Sequence, residues 1–551
     1  MVASLLRIIT TGIQDERIYF SAKSGSMYPF QKVWVKAGRF TTRMERLDFE
    51  NVPTFGTTAF FKILRKGHLL TRLFFVATMP DIYSAQRDAA AASGLGSAAS
   101  GLGSAASGLG SAAYPRFGWT NSLGHALINQ LTLDIASYRV ETIDSQLLEV
   151  LDEFHTPLEK VPVVNRMIKR ADSGFHDQMF GLPPKGTNTS SREPFQETVV
   201  VPLPFWFTRG DPGCALPIDA MSIDEIRVGI NIRSIDGLYY TTTRVPSQTN
   251  EQGTSLWPIQ NSYFYAQDPV AVPNQLPLLY SNGTPIHTPL SPQLGDCYIM
   301  AEYVYLDQAE ANRFRLTDLQ VPIVQHYAMP PYDTRGLLNA RIRLDIPNPT
   351  RDIFFFCQPF GASSYNAHFL ATRELTGTVN TLPNGTQMPW WPDAQGLTDS
   401  QGLTDSQGSR SSYLTPVTAS SYLTPAFQLS DSEPISGYEL DYQGSLVRFR
   451  TESPALFRSI LPSYEQRKSP WHNRYYYNLP LAIQNGFTPF SRPMGEANLD
   501  KMTNRDLVLQ FRNKYGNIVG LNVGRFTVHI YAETYNILRV FGGRAGLLFA
   551  Y

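Results

Sequence analysis

Nine histidines, three cysteines and several neighbouring carboxylates are the side chains of this 551-residue sequence best suited to chemistry. His68, His125, His155, His176, His287, His326, His368, His472 and His529 are scattered, and no pair has the HExxH spacing that turns two imidazoles toward one zinc ion. Cys214, Cys297 and Cys357 lie far apart with no CxxC pair. A phosphate-cradling GxxxxGK loop and a GxSxG nucleophile elbow are both missing. The run Gly542 to Gly546 has neither the lysine nor the strand-to-helix setting of a phosphate loop, so it reads as a turn near the chain terminus. No catalytic residue, metal ligand or cofactor is therefore expected.

Carboxylates such as Asp152 with Glu153, or Asp431 with Glu433, could serve a glycosidase only if two of them faced each other across a cleft. Nothing in the spacing brings them together, and solvated loop charge is the expectation. Asn188, Asn282 and Asn384 each begin an N-x-S/T sequon and are candidate glycosylation sites in expected loops. No secretory leader accompanies them: MVASLLRIITTGI lacks a basic start and is broken by Arg7. With an odd number of cysteines and no apolar run of membrane-spanning length, a soluble chain made in a reducing compartment is expected.

The elements that would carry these residues are strands. Aromatics make up 12% of the chain, and 39 Pro with 40 Gly interrupt it too often for long helices, a mixture that favours an all-β protein with many turns. Lys plus Arg number 47 and Asp plus Glu number 47, so the basic footprint of a genome-binding protein is missing. A length of 551 residues exceeds what one core usually supports and implies two domains, or three.

From Thr198 to Ile232 the chain gives an apolar run, Val199 to Phe207, interrupted by Pro202 and Pro204 as at a sheet edge. A forced reversal follows at Arg209 to Gly213. Then Ile226, Val228, Ile230 and Ile232 alternate with Arg227, Gly229 and Asn231, the period of a strand with one wet face. HALINQLTLDIASYRV predicts a strand that hands over to an amphipathic helix from about Ile143 to Phe154, capped by Asp144 or Ser145. The same strand-then-helix order recurs in CYIMAEYVYLDQAEANRF, with Asp307 and Glu310 opening the helix. ARIRLDIPNPTRDIFFFCQP gives two strands around Pro347, Asn348 and Pro349. DLVLQF and RFTVHIYAETYNILRV give two more, and the apolar end GGRAGLLFAY is expected to be buried or docked. Repeats of SGLGSAA within 89–113, and of QGLTDS and SSYLTP within 377–428, mark long surface loops.

Several of these stretches resemble one family, the double jelly-roll major capsid proteins of nucleocytoplasmic large DNA viruses. The most specific is EYVYLDQAEANRFRLTDLQVPIVQ, Glu302 to Gln325, although only Arg313 and Arg315 stay basic in its helix. RIRLDIPNPTRDIFFFCQP, Arg341 to Pro359, is similar to the family's strand, proline turn and aromatic strand, with Pro347 and Phe355 or Phe356 standing near where His and Trp often occur. PLPFWFTRGDPGCALPIDAMSIDEIRVGINI resembles the segment that ends the first jelly roll, and NLDKMTNRDLVLQF with VHIYAETYNILRVFGGRAGLLFAY the family's carboxyl terminus.

The resemblance implies two tandem eight-stranded jelly-roll β-sandwich barrels with a few short helices and long surface loops. The divisions expected are an arm over 1–30, a first jelly roll over 31–240, a Pro-rich connection over 241–295 and a second jelly roll over 296–551. It further implies a homotrimer forming a pseudo-hexagonal capsomer that meets neighbouring capsomers, minor capsid proteins and penton proteins. Direct genome contact is not expected, and an inner viral membrane could lie close by without insertion. The chain would be made and assembled in host cytoplasm and reside in the virion. A β-sandwich lectin or fibre protein, and a carbohydrate-active enzyme, are the rival readings from composition alone.

Overall fold

Residues 39–80, 116–136, 138–170, 198–210, 212–243, 255–256, 293–360, 362, 366, 368–371, 433–442, 446–451, 454, 456–464, 469–470, 474–482, 495–502, 504–511 and 525–549 are described in a computed structural model of the chain. The expected arm, both repeat-bearing loops, and most of the Pro-rich connection lie outside them.

Alternation of apolar and polar residues places eight strands in a first sandwich: β1 Phe40–Leu47, β2 Thr58–Lys62, β3 Leu69–Thr78, β4 Ile128–Ile135, β5 Tyr138–Asp144, β6 Thr198–Pro202, β7 Ile226–Ile232 and β8 Cys297–Leu306. One sheet runs β1-β8-β3-β6 and the other β2-β7-β4-β5. Their facing sides meet in a core that includes Phe61, Leu73, Phe75, Leu133, Val201, Ile230 and Tyr303. Burial of such side chains is the main force holding the two sheets together.

In β7 the residues Ile226, Val228, Ile230 and Ile232 are buried while Arg227 is exposed, as the alternation requires. Gly229 is also buried, and a Cβ there would lie 2.7 Å from Thr132 Oγ1 and 2.9 Å from the Phe60 ring, so a side chain has no room. The preceding run is strand only as far as Pro202, not to Phe207 as the sequence suggests. Without an N–H at Pro202 or Pro204 the ladder cannot continue, and the chain turns through Trp206–Thr208 with Phe205 and Phe207 stacked at 5.6 Å. β6 accordingly forms one edge of its sheet.

The second sandwich repeats this order. Its strands are β9 Leu319–Ala328, β10 Asn339–Arg343, β11 Pro349–Pro359, β12 Ile435–Tyr442, β13 Leu446–Thr451, β14 Tyr476–Pro480, β15 Arg505–Phe511 and β16 Phe526–Phe541. They pair as β9-β16-β11-β14 and β10-β15-β12-β13. In both halves the first strand lies beside the eighth, the eighth beside the third and the third beside the sixth. The second, seventh, fourth and fifth strands form the facing sheet. This is jelly-roll connectivity, given twice by one chain.

β8 forms hydrogen bonds with β1 and β3, with Leu47 opposite Ile299 and Phe75 opposite Ile299 on the other side. The expected second jelly roll over 296–551 would include this strand, but its ladder lies inside the first sandwich. The physical reason is that Ile299, Ala301 and Tyr303 are fully buried in the first core, so the chain returns there before leaving for the second.

Short helices follow the strands where caps were read. α1, Ser145–His155, starts at Asp144, whose carboxylate accepts the Leu147 N–H at 2.7 Å. α2 spans Val161–Ile168, and α3, Gln308–Leu316, is capped by Asp307 with Glu310 in its first turn. A two-residue turn at Gly542 and Gly543, with φ of 56° and 79°, joins β16 to β17, Arg544–Leu547. Both left-handed positions suit a type I′ hairpin. Beyond it Leu548 is 40% and Phe549 46% exposed, so these end residues are only partly covered rather than buried. Among the described residues no helix is long and apolar enough to cross a membrane.

Candidate assembly site: the buried junction between the sandwiches

The densest polar chemistry in the described residues lies where the first sandwich's β5 and α1 pack on the β9-β16-β11-β14 sheet of the second. Glu533 of β16 is completely buried and accepts from Arg209 Nη1 at 2.7 Å, with His155 Nε2 and His326 Nε2 each 3.5 Å from the same oxygen. His326 of β9 meets Glu141 of β5 through Nδ1 and contacts Arg209 through Nε2. Burial opposes charge on Glu533, yet Arg209, His155, His326 and Arg351 together hold its carboxyl well below the usual range. For His326, burial and Arg209 disfavour the imidazolium, but Glu141 and Glu533 outweigh them and raise its pKa.

A second cluster adjoins α1. Glu149 accepts from His125 Nδ1 at 2.6 Å, Ser122 Oγ at 3.0 Å and Arg474 Nη1 at 2.7 Å, and pairs with Arg170 Nη2 at 2.7 Å. Arg474, just before β14, also reaches Glu153 at 3.2 Å. Arg170 pairs with Asp152 as well. Burial works against the Glu149 charge, but Arg170, His125 and Arg474 lower its pKa well below the carboxylate norm. Each buried charge has an opposite charge against it, the condition under which ions persist in a protein interior.

Single hydrogen bonds and ring contacts tie the same faces. The Tyr531 hydroxyl donates to Asp144 at 3.0 Å, and Gln325 Nε2 donates to the Val140 carbonyl at 2.5 Å. The Phe154 and Phe354 rings lie 5.2 Å apart. His368 donates through Nε2 to the Gly237 carbonyl at 2.7 Å, and Thr120 donates to Asn366 O at 2.8 Å. At the far end the Ile223 N–H donates to Gly543 O and the Ala545 N–H to Asp224 Oδ2, clasping the last hairpin onto the first half.

The carboxylates expected in solvated loops are placed otherwise. Glu153 is 1% exposed and held by Arg474; Glu433 is fully buried, accepts from the Tyr477 hydroxyl at 2.9 Å and lies 3.5 Å from Arg458. Desolvation would leave them unstable without these arginines, which neighbour them only in the folded chain. Asp152 is the partner of Arg170, and Asp431 lies outside the described residues. Asp152, Glu153 and Glu433 are thus occupied by structural partners. Asn188, Asn282 and Asn384 lie outside the described residues, as do His176, His287 and His472. His68 accepts the Leu306 N–H at 2.8 Å and stands 3.9 Å from Asp219, while His529 stacks on Phe356 at 4.9 Å between centroids. Cys214 and Cys357 are buried thiols, and burial pushes the half-buried Cys297 up to about 11. Among the described residues no group of three His, Cys, Asp or Glu side chains could hold a metal ion.

Sequence reading did not single out Glu141, Arg209, Glu533 or Arg474 as junction residues. A signal was there for one of them: Glu533 in IYAETYNIL puts a carboxylate in the middle of a largely apolar strand, which is costly unless the fold supplies a cation.

Comparison with known proteins agrees with the connectivity. A major capsid protein of Phaeocystis pouchetii virus is 21% identical over 592 aligned residues, covering all of both chains. That of Chrysochromulina ericina virus is likewise 21% identical, over 625 residues and the full length of both. The solved structure of VP54 from PBCV-1 superposes with a TM-score of 0.56 at 16% identity, covering 95% of this chain and all of that one. The Faustovirus major capsid protein gives a TM-score of 0.52 at 10% identity over 98% and 99% of the two chains. The family profile described as "Major capsid protein N-terminus" matches residues 29–307, a span that ends one residue after the first sandwich's eighth strand. With half of its length matched by that profile, the chain belongs to the major capsid protein family.

Proposed function

We propose that this major capsid protein carries out its structural role as a homotrimer, six jelly rolls giving a pseudo-hexagonal capsomer in a large icosahedral shell. The observation that carries the reading is the duplicated strand order, β1-β8-β3-β6 matched by β9-β16-β11-β14. Two like sandwiches in one chain give a threefold ring six similar corners, and such an outline can tile a flat facet. A heterologous contact repeated three times closes the ring without leaving a free surface to propagate.

The domain division that fits this reading places the first sandwich from β1 to Leu306, with α3 leading into the second from Leu319. Neighbouring capsomers, minor capsid proteins and penton proteins are the partners, the virion shell is the location, and the host cytoplasm the place of assembly. The work is assembly, with no bond made or broken. Electron microscopy and sedimentation of the full chain expressed alone test it: threefold particles are expected, and a persistent monomer at micromolar concentration would overturn the trimer.

A further inference from the structure

The connection from β9 to β10, residues 329–338, is fixed by backbone bonds on both sides. The Met329 N–H donates to Ile530 O at 3.0 Å, and Tyr332 and Asp333 pair with Val528 and Thr527 of β16. Thr334 is fully buried; its N–H donates to Phe526 O, and its hydroxyl oxygen accepts the Phe526 N–H. Across from these, the Phe511 N–H of β15 donates to Leu338 O at 2.8 Å. Between the anchors the chain reverses at Arg335 and Gly336, with φ of 52° and 77°, and the Asp333 carboxylate accepts the Arg335 N–H at 3.0 Å. An arginine in the left-handed region is uncommon, and here a rigid frame holds it there.

Pro331, Tyr332, Asp333, Arg335 and Leu337 line a half-open cleft of about 390 Å³, at the small end of the roughly 300–1,000 Å³ that ligand sites occupy. Its charges do not balance. Asp333 is taken by Arg525, which donates through Nε at 3.0 Å and Nη2 at 2.6 Å while its guanidinium lies 3.6 Å over the Phe360 ring. Those hydrogen bonds hold the Asp333 carboxyl down at about 2, so it stays an anion and an acceptor. The Arg335 side chain is exposed, and among the described residues nothing accepts a hydrogen bond from its guanidinium. The cleft and its rim therefore keep an uncompensated positive charge. The equivalent connection of the first sandwich, between β1 and β2, carries no basic residue; its Glu50 pairs with Lys62 and Arg227, and its Asn51 bonds the backbone of Thr58 and Phe60.

A guanidinium offers parallel N–H groups that match the two oxygens of a carboxylate. Asp333 adds acceptor oxygens beside it, and Pro331, Tyr332 and Leu337, the last 54% exposed, add an apolar wall. The ligand that answers all of these has a negative charge, hydroxyl donors and a ring face. We propose that this cleft binds an acidic saccharide: the carboxylate of a uronic acid unit meets Arg335, its hydroxyls donate to Asp333, and its ring lies against Tyr332 and Leu337. The site lies at the opposite end of the 16-residue β16 from the clasped hairpin, roughly 50 Å away by strand rise. It is complete within one chain, so it stands apart from the trimer reading.

Isothermal titration calorimetry of the full chain at low salt tests it, with digalacturonate, its neutral counterpart galabiose and sodium sulfate as probes. Digalacturonate is expected to bind and galabiose not, with sulfate a weak competitor. Arg335→Gln should weaken digalacturonate binding at least about tenfold, the worth of a hydrogen bond to a charged group, while leaving the thermal melt unchanged because the side chain has no partner to lose. Leu337→Asp places a carboxylate at an exposed position of the same wall; it should abolish binding, and it gives the answer should Arg335→Gln fold poorly. The proposal is overturned if digalacturonate does not bind the wild type at millimolar concentration, or binds both variants as tightly. Galabiose binding as well as digalacturonate would remove the role of Arg335. Sulfate displacing digalacturonate at equal concentration would make the cleft an inorganic-anion site and not a saccharide site.

Discussion

Arg209 and Glu533 stand 324 residues apart and meet at 2.7 Å, with Arg209 side chain 7% exposed and Glu533 fully buried. One belongs to the turn after β6 and the other to the longest strand of the second sandwich, so the pair exists only when the halves are docked. Removing the cation leaves a carboxylate desolvated with fewer compensating charges. Arg209→Met is expected to lower the unfolding free energy by about 3–5 kcal/mol. Adding Glu533→Gln to the same chain should recover part of it, and urea titration of the single and double variants measures both.

Asp144 joins two levels of structure through one carboxylate. Oδ1 caps α1 by accepting from Leu147, and Oδ2 accepts the Tyr531 hydroxyl of the other sandwich. Asp144→Ala is expected to cost about 2–4 kcal/mol, the sum of a lost cap and a buried hydroxyl without its acceptor. Asp144→Asn, which keeps a capping oxygen, should cost less in the same denaturation experiment.

At Gly543 the backbone φ is +79°, and a Cβ would lie 2.2 Å from Ser222 Oγ. Gly543→Ala is expected to cost about 1–2 kcal/mol from the left-handed backbone alone. It should also loosen the clasp at Ile223 and Ala545. Hydrogen exchange read at the amides of 544–547 should quicken in the variant while the β4 and β7 amides stay protected.

Acid sensitivity follows from buried imidazoles. Burial lowers His529 to about 4, and burial with Arg233 nearby lowers His368 to about 3 against the pull of the Gly237 carbonyl. A depressed folded pKa means the unfolded chain takes up the proton first, so this stability is complete above the ordinary value of 6.5 and is lost as pH falls below it. His326 is raised, so its contribution is complete below 6.5 and is lost only as pH climbs through its raised value. The depressed carboxylates Glu149 and Glu533 add their loss below 4.5. Unfolding free energy should therefore decline from pH 6.5 toward pH 4, and His529→Phe, which keeps the stack on Phe356, should flatten that decline. Chemical melts across the range check it; an unchanged slope in the variant would refute the assignment to His529.

Local order was legible along the sequence wherever it depends on neighbours. Ile226 to Ile232 alternates because a strand has period two, Asp144 and Asp307 stop and start elements because a carboxylate satisfies free N–H groups, and Pro202 with Pro204 marks an edge because proline has no N–H to give. Those preferences, with the composition, also pointed to an all-β protein, while the structural role was read from the resemblance to one family. Tertiary structure alone decided which strands share a sheet. Cys297–Leu306 alternates equally well in either sandwich, and only the closing of the first core around Ile299, Ala301 and Tyr303 places it between β1 and β3. The junction was hidden for the same reason. Glu141, His326 and Glu533 carry no pattern in the sequence that names their partners, since a buried charge becomes tolerable only when a cation arrives from hundreds of residues away, and that distance is removed by folding.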